Sequence, residues 1–166
     1  MRVALLGDPI LRQCCRPVAN IEDEELHALV SRLQCTLYDV REKLGFGRGI
    51  AAPQVGSDLQ VIFVDAGEPM TLINPTILSR SDETFELWDD CLSLPSLLVR
   101  VRRHCRISIG FTDLEGEQRT LQAEADLSEL LQHEMDHLDG RLILDCAHGE
   151  NPVYLREEWK RQFADR

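Results

Sequence analysis

Gln132-His133-Glu134-Met135-Asp136-His137 is the stretch on which the fold reading turns. Two histidines four residues apart share a face only on a helix, where their rings converge on one point. Glu134, about 100° round from His133, lies near that face and can reach a water there without being a ligand. Leu127, Leu130, Leu131 and Leu138 give the same helix an apolar stripe that has to pack against a sheet. The pattern predicts a helix over 127–138, with Asp126 as N-cap and Glu129 as the glutamate of a capping box.

Outward from the motif, Leu26, Val30, Leu33, Leu37, Val40 and Leu44 recur at steps of three and four. They predict one long helix over 22–44, stopped by Gly45. A glycine-rich loop, Gly45-Phe46-Gly47-Arg48-Gly49, then leads into Ile50-Ala51-Ala52-Pro53-Gln54. Short β-rich runs follow at 59–64, 71–73, 97–101, 105–111 and 119–123, the last two joined by an Asp113-Leu114-Glu115-Gly116 hairpin loop. Asn151-Pro152 reads as the start of a short C-terminal helix. The expected class is α+β: antiparallel β-sheets packed around a central HExxH helix, with a long N-terminal and a short C-terminal helix. With no repeat, linker or low-complexity tract, residues 1–166 read as a single domain.

Composition narrows the function classes. Of 166 residues, 43% are hydrophobic and 28% charged, which is the mix of an ordered globular chain. A formal net charge of −11 argues against DNA binding and against an acidic membrane surface. No apolar run nears the roughly 20 residues of a membrane span, and the opening segment is broken too soon for a signal peptide. A cytoplasmic protein is expected. Cysteines at 14, 15, 35, 91, 105 and 146 include no CxxC pair, so they read as free, buried or metal-bound.

Two histidines leave a metal site short of a ligand. A third histidine at the metzincin spacing is missing, because that position is Ile143. Glu150, Glu157 and Glu158 sit in a short terminal segment with little chain left to build a peptide-binding lobe. Cys91, in Asp90-Cys91-Leu92-Ser93, lies upstream between β-rich segments. A Cys/His/His set leaves one tetrahedral position open, as a catalytic centre requires.

Three ordered motifs resemble those of the peptide deformylases. The family's GxGxAAxQ is present as Gly47-Arg48-Gly49-Ile50-Ala51-Ala52-Pro53-Gln54, its EGCLS as Asp89-Asp90-Cys91-Leu92-Ser93, and its QHExDH intact at 132–137. The resemblance implies Cys91, His133 and His137 as metal ligands and Glu134 as the base that takes a proton from water and returns it to the leaving amine. It implies the backbone N–H of Leu92 and the amide of Gln54 as oxyanion donors, and Gly47 to Gly49 as a loop beside the substrate backbone. The substrate would be an N-formylated peptide, and the products formate and a free N-terminus. The donor set alone suits zinc. The resemblance implies one divalent ion, Fe2+ first, with Zn2+ or Ni2+ as alternatives.

Several positions depart from the family pattern. Asp90 replaces a glycine and reads as pointing to solvent, while Asp89 replaces a glutamate and is expected to pair with Arg102 or Arg103. Arg48 and Glu129 stand where relatives are often apolar. Beside the capping-box reading of Glu129, both predict a more polar pocket and a weakened preference for formyl-methionine. Asp90, Arg48 and Glu129 keep open a metallo-amidohydrolase removing formyl or another small acyl group from a non-peptide amine. A non-catalytic relative kept as a binding module is the other alternative, and it predicts lost ligands or base where Gln54, Cys91, His133, Glu134 and His137 are all present. The basic C-terminal residues Arg156, Lys160, Arg161 and Arg166 offer a weak ribosome contact, opposed by Glu157, Glu158 and Asp165.

Overall fold

The structure, a computed structural model, describes residues 2–163. Helix α1 (Glu24–Leu44) begins where the Asp23 side chain accepts the Glu25 N–H at 2.9 Å. It ends at Gly45, whose φ of 76° lets its N–H close on the Arg41 carbonyl. Strands β1 (Gly49–Ala51), β2 (Val61–Asp65), β3 (Pro69–Arg80), β4 (Thr84–Asp89), β5 (Leu97–His104), β6 (Arg106–Thr112) and β7 (Gln118–Glu124) follow. Then come α2 (Ala125–Leu138), β8 (Val153–Leu155) and α3 (Arg156–Phe163).

Among the described residues the strands form two antiparallel sheets, one ordered β1-β2-β3-β6-β7 and one ordered β4-β5-β8. Helix α2 packs on β1 and β7 of the first and on β5 of the second. The class is therefore α+β, with the HExxH helix at the junction of the sheets. Leu26, Leu33 and Leu37 of α1 bury against Ile50, Val61 and Ile73. Leu130, Leu131 and Leu138 of α2 bury against Ile62, Leu72 and Ile109. A third cluster, with Leu11, Leu94, Val99, Val101 and Leu142, encloses Cys91. No helix among the described residues is long and apolar enough to cross a membrane.

The strand-to-helix joint corrects the expected cap. β7 runs straight into α2, with Glu124 as an extended N-cap residue and Ala125 at φ 47°. Glu124 is still paired with Arg106 in the sheet and its side chain makes no cap bond, so Asp126 falls in the first helical turn. The Ala125 N–H donates to the Cys105 carbonyl at 2.9 Å. Ser128 Oγ and Gln132 Nε2 donate to the His104 carbonyl at 2.8 and 3.0 Å, and the His104 N–H returns a bond to Gln132 Oε1 at 3.0 Å. The helix is thus fastened to the turn between β5 and β6.

Two further boundaries differ from expectation. The helix predicted from Asn151 begins at Arg156, because Asn151 turns at φ 48° and 153–155 pair with β5 as β8. β3 extends well beyond 71–73, and its register shifts between Ile73 and Thr76 and again between Ile77 and Ser79. Those bulges break the period-2 alternation from which a strand is read.

Candidate metal centre

Helix α2 carries His133 and His137 on one buried face, their ring centroids 5.1 Å apart. The loop after β4 brings Cys91 beneath them, with Sγ 3.3 Å from His137 Nε2. One donor atom from each of Cys91, His133 and His137 lies within 4.8 Å of the others, and all three residues are buried. That spacing and donor set fit a tetrahedral ion with one position left over.

His133 is oriented from behind. Its Nδ1 donates to Asp89 at 2.9 Å to Oδ2 and 3.1 Å to Oδ1, which leaves Nε2 to face Cys91 and His137. Asp89 also accepts from the buried Arg103 at 3.2 Å, and Arg103 reaches Asp136 at 2.5 Å. Arg103 therefore closes a loop from β5 to the metal-loop carboxylate and back to α2. Burial opposes charge on His133, but the adjacent Asp89 outweighs it and raises the imidazole well above its ordinary value. Burial and the neighbouring His133 push His137 the other way, well below. His137 Nδ1 has no partner among the described residues.

Glu134 is enclosed beside this trio, and burial pushes its carboxyl up to about 7. Its Oε2 has no hydrogen-bond partner among the described residues. An unpartnered buried oxygen next to three converging donors suits a proton acceptor facing a water. Gly49 makes room for it: a Cβ there would lie 2.5 Å from Glu134 Oε1. Gln54 is buried, and its Oε1 accepts the Ala51 N–H at 2.9 Å. That bond turns Nε2 toward the metal loop, 3.8 Å from Cys91 Sγ and 3.2 Å from Ser93 Oγ. Leu92 is buried directly after Cys91.

These residues open on a cavity of about 880 Å³ lined by Gly47, Arg48, Gly49, Gln54, Leu92, Glu129 and Glu134 among others. Glu129 is not a capping residue. Its carboxylate faces the cavity wall, where Arg48 Nη2 donates to it at 2.6 Å. Its side chain is 4% exposed and that of Arg48 44%. Burial and the charge of Asp89 raise the Glu129 carboxyl, against the pull of Arg48.

All ten residues singled out from the sequence thus meet at one place. Asp89 pairs with Arg103 as expected, while Arg102 bonds Glu86 on the outer face. Asp90, expected to face solvent, instead accepts two hydrogen bonds from Arg156. That partner lies 66 residues downstream in a separate element, and no local pattern announces it. The Arg48–Glu129 pairing was equally out of reach, since 81 residues separate the two.

Comparison with known proteins now bears on this geometry. The polypeptide deformylase family model matches residues 1–152. The chain belongs to the polypeptide deformylase family. It is 39% identical to a peptide deformylase of Natranaerobius thermophilus over 153 residues, covering 91% of this chain and 92% of the relative. Identity to that of Dictyoglomus turgidum is 40% over 154 residues, covering 92% and 96%. The crystal structure of a peptide deformylase from Thermotoga maritima superposes with a TM-score of 0.83 at 35% identity, covering 89% of this chain and 97% of that one. One from Synechococcus elongatus, in complex with actinonin, gives 0.83 at 34%, covering 90% and 80%. Family membership makes the chain a metal-dependent deformylase, with a donor set that fits an ion.

Proposed function

We propose that this family member removes the formyl group from the N-terminal formyl-methionine of nascent peptides with Cys91, His133 and His137 holding the metal and Glu134 moving the proton. The observation that carries the assignment is the convergence of three buried donors beside the unpartnered Glu134 Oε2. A divalent ion among these donors supplies Lewis acidity toward water near neutral pH. We infer Fe2+ as that ion on the family likeness, with Zn2+ or Ni2+ as substitutes.

The chain's own residues account for the rest. β1 is the edge of its sheet, so an extended peptide can lie alongside Gly47 to Gly49. Glu134 takes a proton from the attacking water. The Leu92 N–H and the Gln54 amide, the latter fixed by the Ala51 bond, hold the negative charge that develops on the formyl oxygen. Glu134 then passes the proton to the departing nitrogen as the C–N bond breaks, giving formate and a free amine. The Arg48–Glu129 pair makes one wall of the pocket polar, which weakens the grip on a methionine side chain.

We infer that the enzyme works as one domain in the cytoplasm, where N-formylated chains are made. Ribosome docking by the C-terminal basic residues has little support: Arg156 is committed to Asp90 and Arg161 to Glu158, and Asp165 and Arg166 lie outside the described residues. A purely binding role is disfavoured by the assembly of Gln54, Cys91, His133, Glu134 and His137 in one cavity. The test is formate release from formyl-Met-Ala-Ser by protein prepared without oxygen and loaded separately with iron, nickel and zinc. Turnover that vanishes in Glu134→Ala is expected. No formate with any metal, from protein holding one ion per chain, would refute the assignment and turn attention to formylated non-peptide amines.

A further inference from the structure

Asp90 stands where the family motif has glycine, immediately before Cys91, yet its backbone makes no use of glycine's freedom. The non-glycine residues with positive φ among those described are Asn74, Ala125 and Asn151. The Asp90 side chain instead crosses to α3. Both terminal nitrogens of Arg156 donate to its Oδ2, at 3.1 and 3.0 Å. The same guanidinium donates through Nε to the Pro95 carbonyl at 2.9 Å, so one side chain grips the metal loop before and after Cys91. Its Cζ also lies 4.0 Å above the ring of Phe46, in the loop that leads to Gly47 and Gly49. Phe46 and Asp90 both line the cavity.

The helix that supplies Arg156 is itself anchored. Trp159 and Phe163 of α3 each pack 6.2 Å from Trp88, the residue before Asp89. The Arg156 N–H donates to the Ser96 carbonyl at 2.8 Å, and its side chain is only 19% exposed. A planar fork held at Asp90 and Pro95 while stacked on an aromatic ring fixes direction as well as distance, which a lysine cannot do. Arg156 lies past residue 152, where the family match ends.

We propose that Arg156 is a positioning residue of the deformylation site, holding the Cys91 loop and the Phe46 lip in fixed register across the cavity mouth. This rests on the functional reading above. Arg156 contacts none of the proposed ligands, and acts through Asp90, Pro95 and Phe46. Asp90, at the motif's glycine position, and Arg156 form one device that ties α3 to the metal loop.

The experiment compares wild type with Arg156→Ala, Arg156→Lys, Asp90→Gly and the Arg156→Ala/Asp90→Gly double variant. kcat and KM for formyl-Met-Ala-Ser are measured separately, and the thiolate-to-metal absorption band of the cobalt-loaded proteins reports the Cys91 geometry. Arg156→Ala is expected to lower kcat/KM about tenfold, because small misplacements are costly, and to shift the cobalt band. Arg156→Lys, which keeps α3 packed and charged, recovers only part of the rate. The double variant is no worse than Arg156→Ala, because the two residues act as a unit. A kcat/KM within twofold of wild type with an unshifted band would overturn the proposal, whatever happens to the melting temperature. So would losses that multiply in the double variant. If wild type itself releases no formate, the functional reading fails, and the cobalt band alone decides the role of Arg156.

Discussion

Removing Arg48 and removing Glu129 should have opposite effects on stability, although they are partners in one ion pair. The Glu129 side chain is only 4% exposed, whereas that of Arg48 is 44% exposed. Arg48→Leu leaves a buried carboxylate without its cation, and breaking a buried pair this way costs about 3–5 kcal/mol. Solvent on the arginine side of the pair lowers the expectation below that range, to about 2–3 kcal/mol. For a domain of this size that lowers Tm by roughly 5–10 °C. Glu129→Leu removes the buried charge, lets Arg48 turn outward and fills the space with carbon, so its Tm should equal or exceed wild type by a few degrees, corresponding to about 1 kcal/mol or more. The Arg48→Leu/Glu129→Leu double variant should match Glu129→Leu.

pH adds a second signature to this experiment. Burial raises the Glu129 carboxyl in the folded protein, and losing Arg48 raises it further. A group raised on folding costs stability when ionised and ceases to do so once protonated. The Arg48→Leu deficit should therefore shrink as pH falls through the variant's raised carboxyl value. Thermal unfolding of the metal-loaded proteins across pH reads both effects. A Glu129→Leu protein as unstable as Arg48→Leu, or a deficit that ignores pH, would refute this account of the pair.

Replacing the same pair by Arg48→Ile/Glu129→Leu should raise kcat/KM for formyl-Met-Ala-Ser relative to formyl-Gln-Ala-Ser about tenfold, and an unchanged ratio would show that the pair does not set side-chain preference. Gly49→Ala places a Cβ 2.5 Å from Glu134 Oε1 and 2.9 Å from its Cδ, contacts relieved by moving the end of that side chain. The fold should survive by circular dichroism while kcat/KM falls roughly 10²-fold, and near-normal turnover would argue against Glu134 as the base. Burial pushes the thiols of Cys15 up to about 12 and Cys146 up to about 11, while Cys14 and Cys35 are exposed. Alkylation of native protein at pH 8, mapped by mass spectrometry, should mark Cys14 and Cys35 and spare Cys15 and Cys146; rapid labelling of Cys15 would contradict its burial.

Much of this arrangement was legible in the sequence because its signals are local. The α1 stripe and the HExxH spacing each declare a helix face within a few turns, and α1 runs Glu24–Leu44 and α2 Ala125–Leu138. The Asp113-Leu114-Glu115-Gly116 hairpin also holds, with the Asp113 N–H donating to the Glu117 carbonyl at 3.0 Å. β4 escaped because it is a short sheet edge, paired only to β5, in which Thr84, Glu86 and Asp89 interrupt the apolar residues. The Glu129 capping reading failed because sheet pairing of Glu124 decides how α2 starts, and no helix rule contains a sheet. The residues that tune the site, Arg103 with Asp136, Arg48 with Glu129 and Arg156 with Asp90, are joined across long stretches of chain. Such pairs are set by topology, and a linear pattern carries no trace of them.

The fastening of α2 to the turn between β5 and β6 bears on what the ion is for. In small zinc modules the chain has no settled shape until metal arrives, and chelation unfolds it. Here the sheet aligns α2, and Asp89 with Arg103 aims His133. Of the three hydrophobic clusters, two contain none of the proposed ligands and the third contains only Cys91. The centre is a socket rather than a staple. Stripped protein should keep its far-ultraviolet spectrum and take up an ion again without refolding, so the metal in use at any moment can follow supply while the polypeptide stays the same.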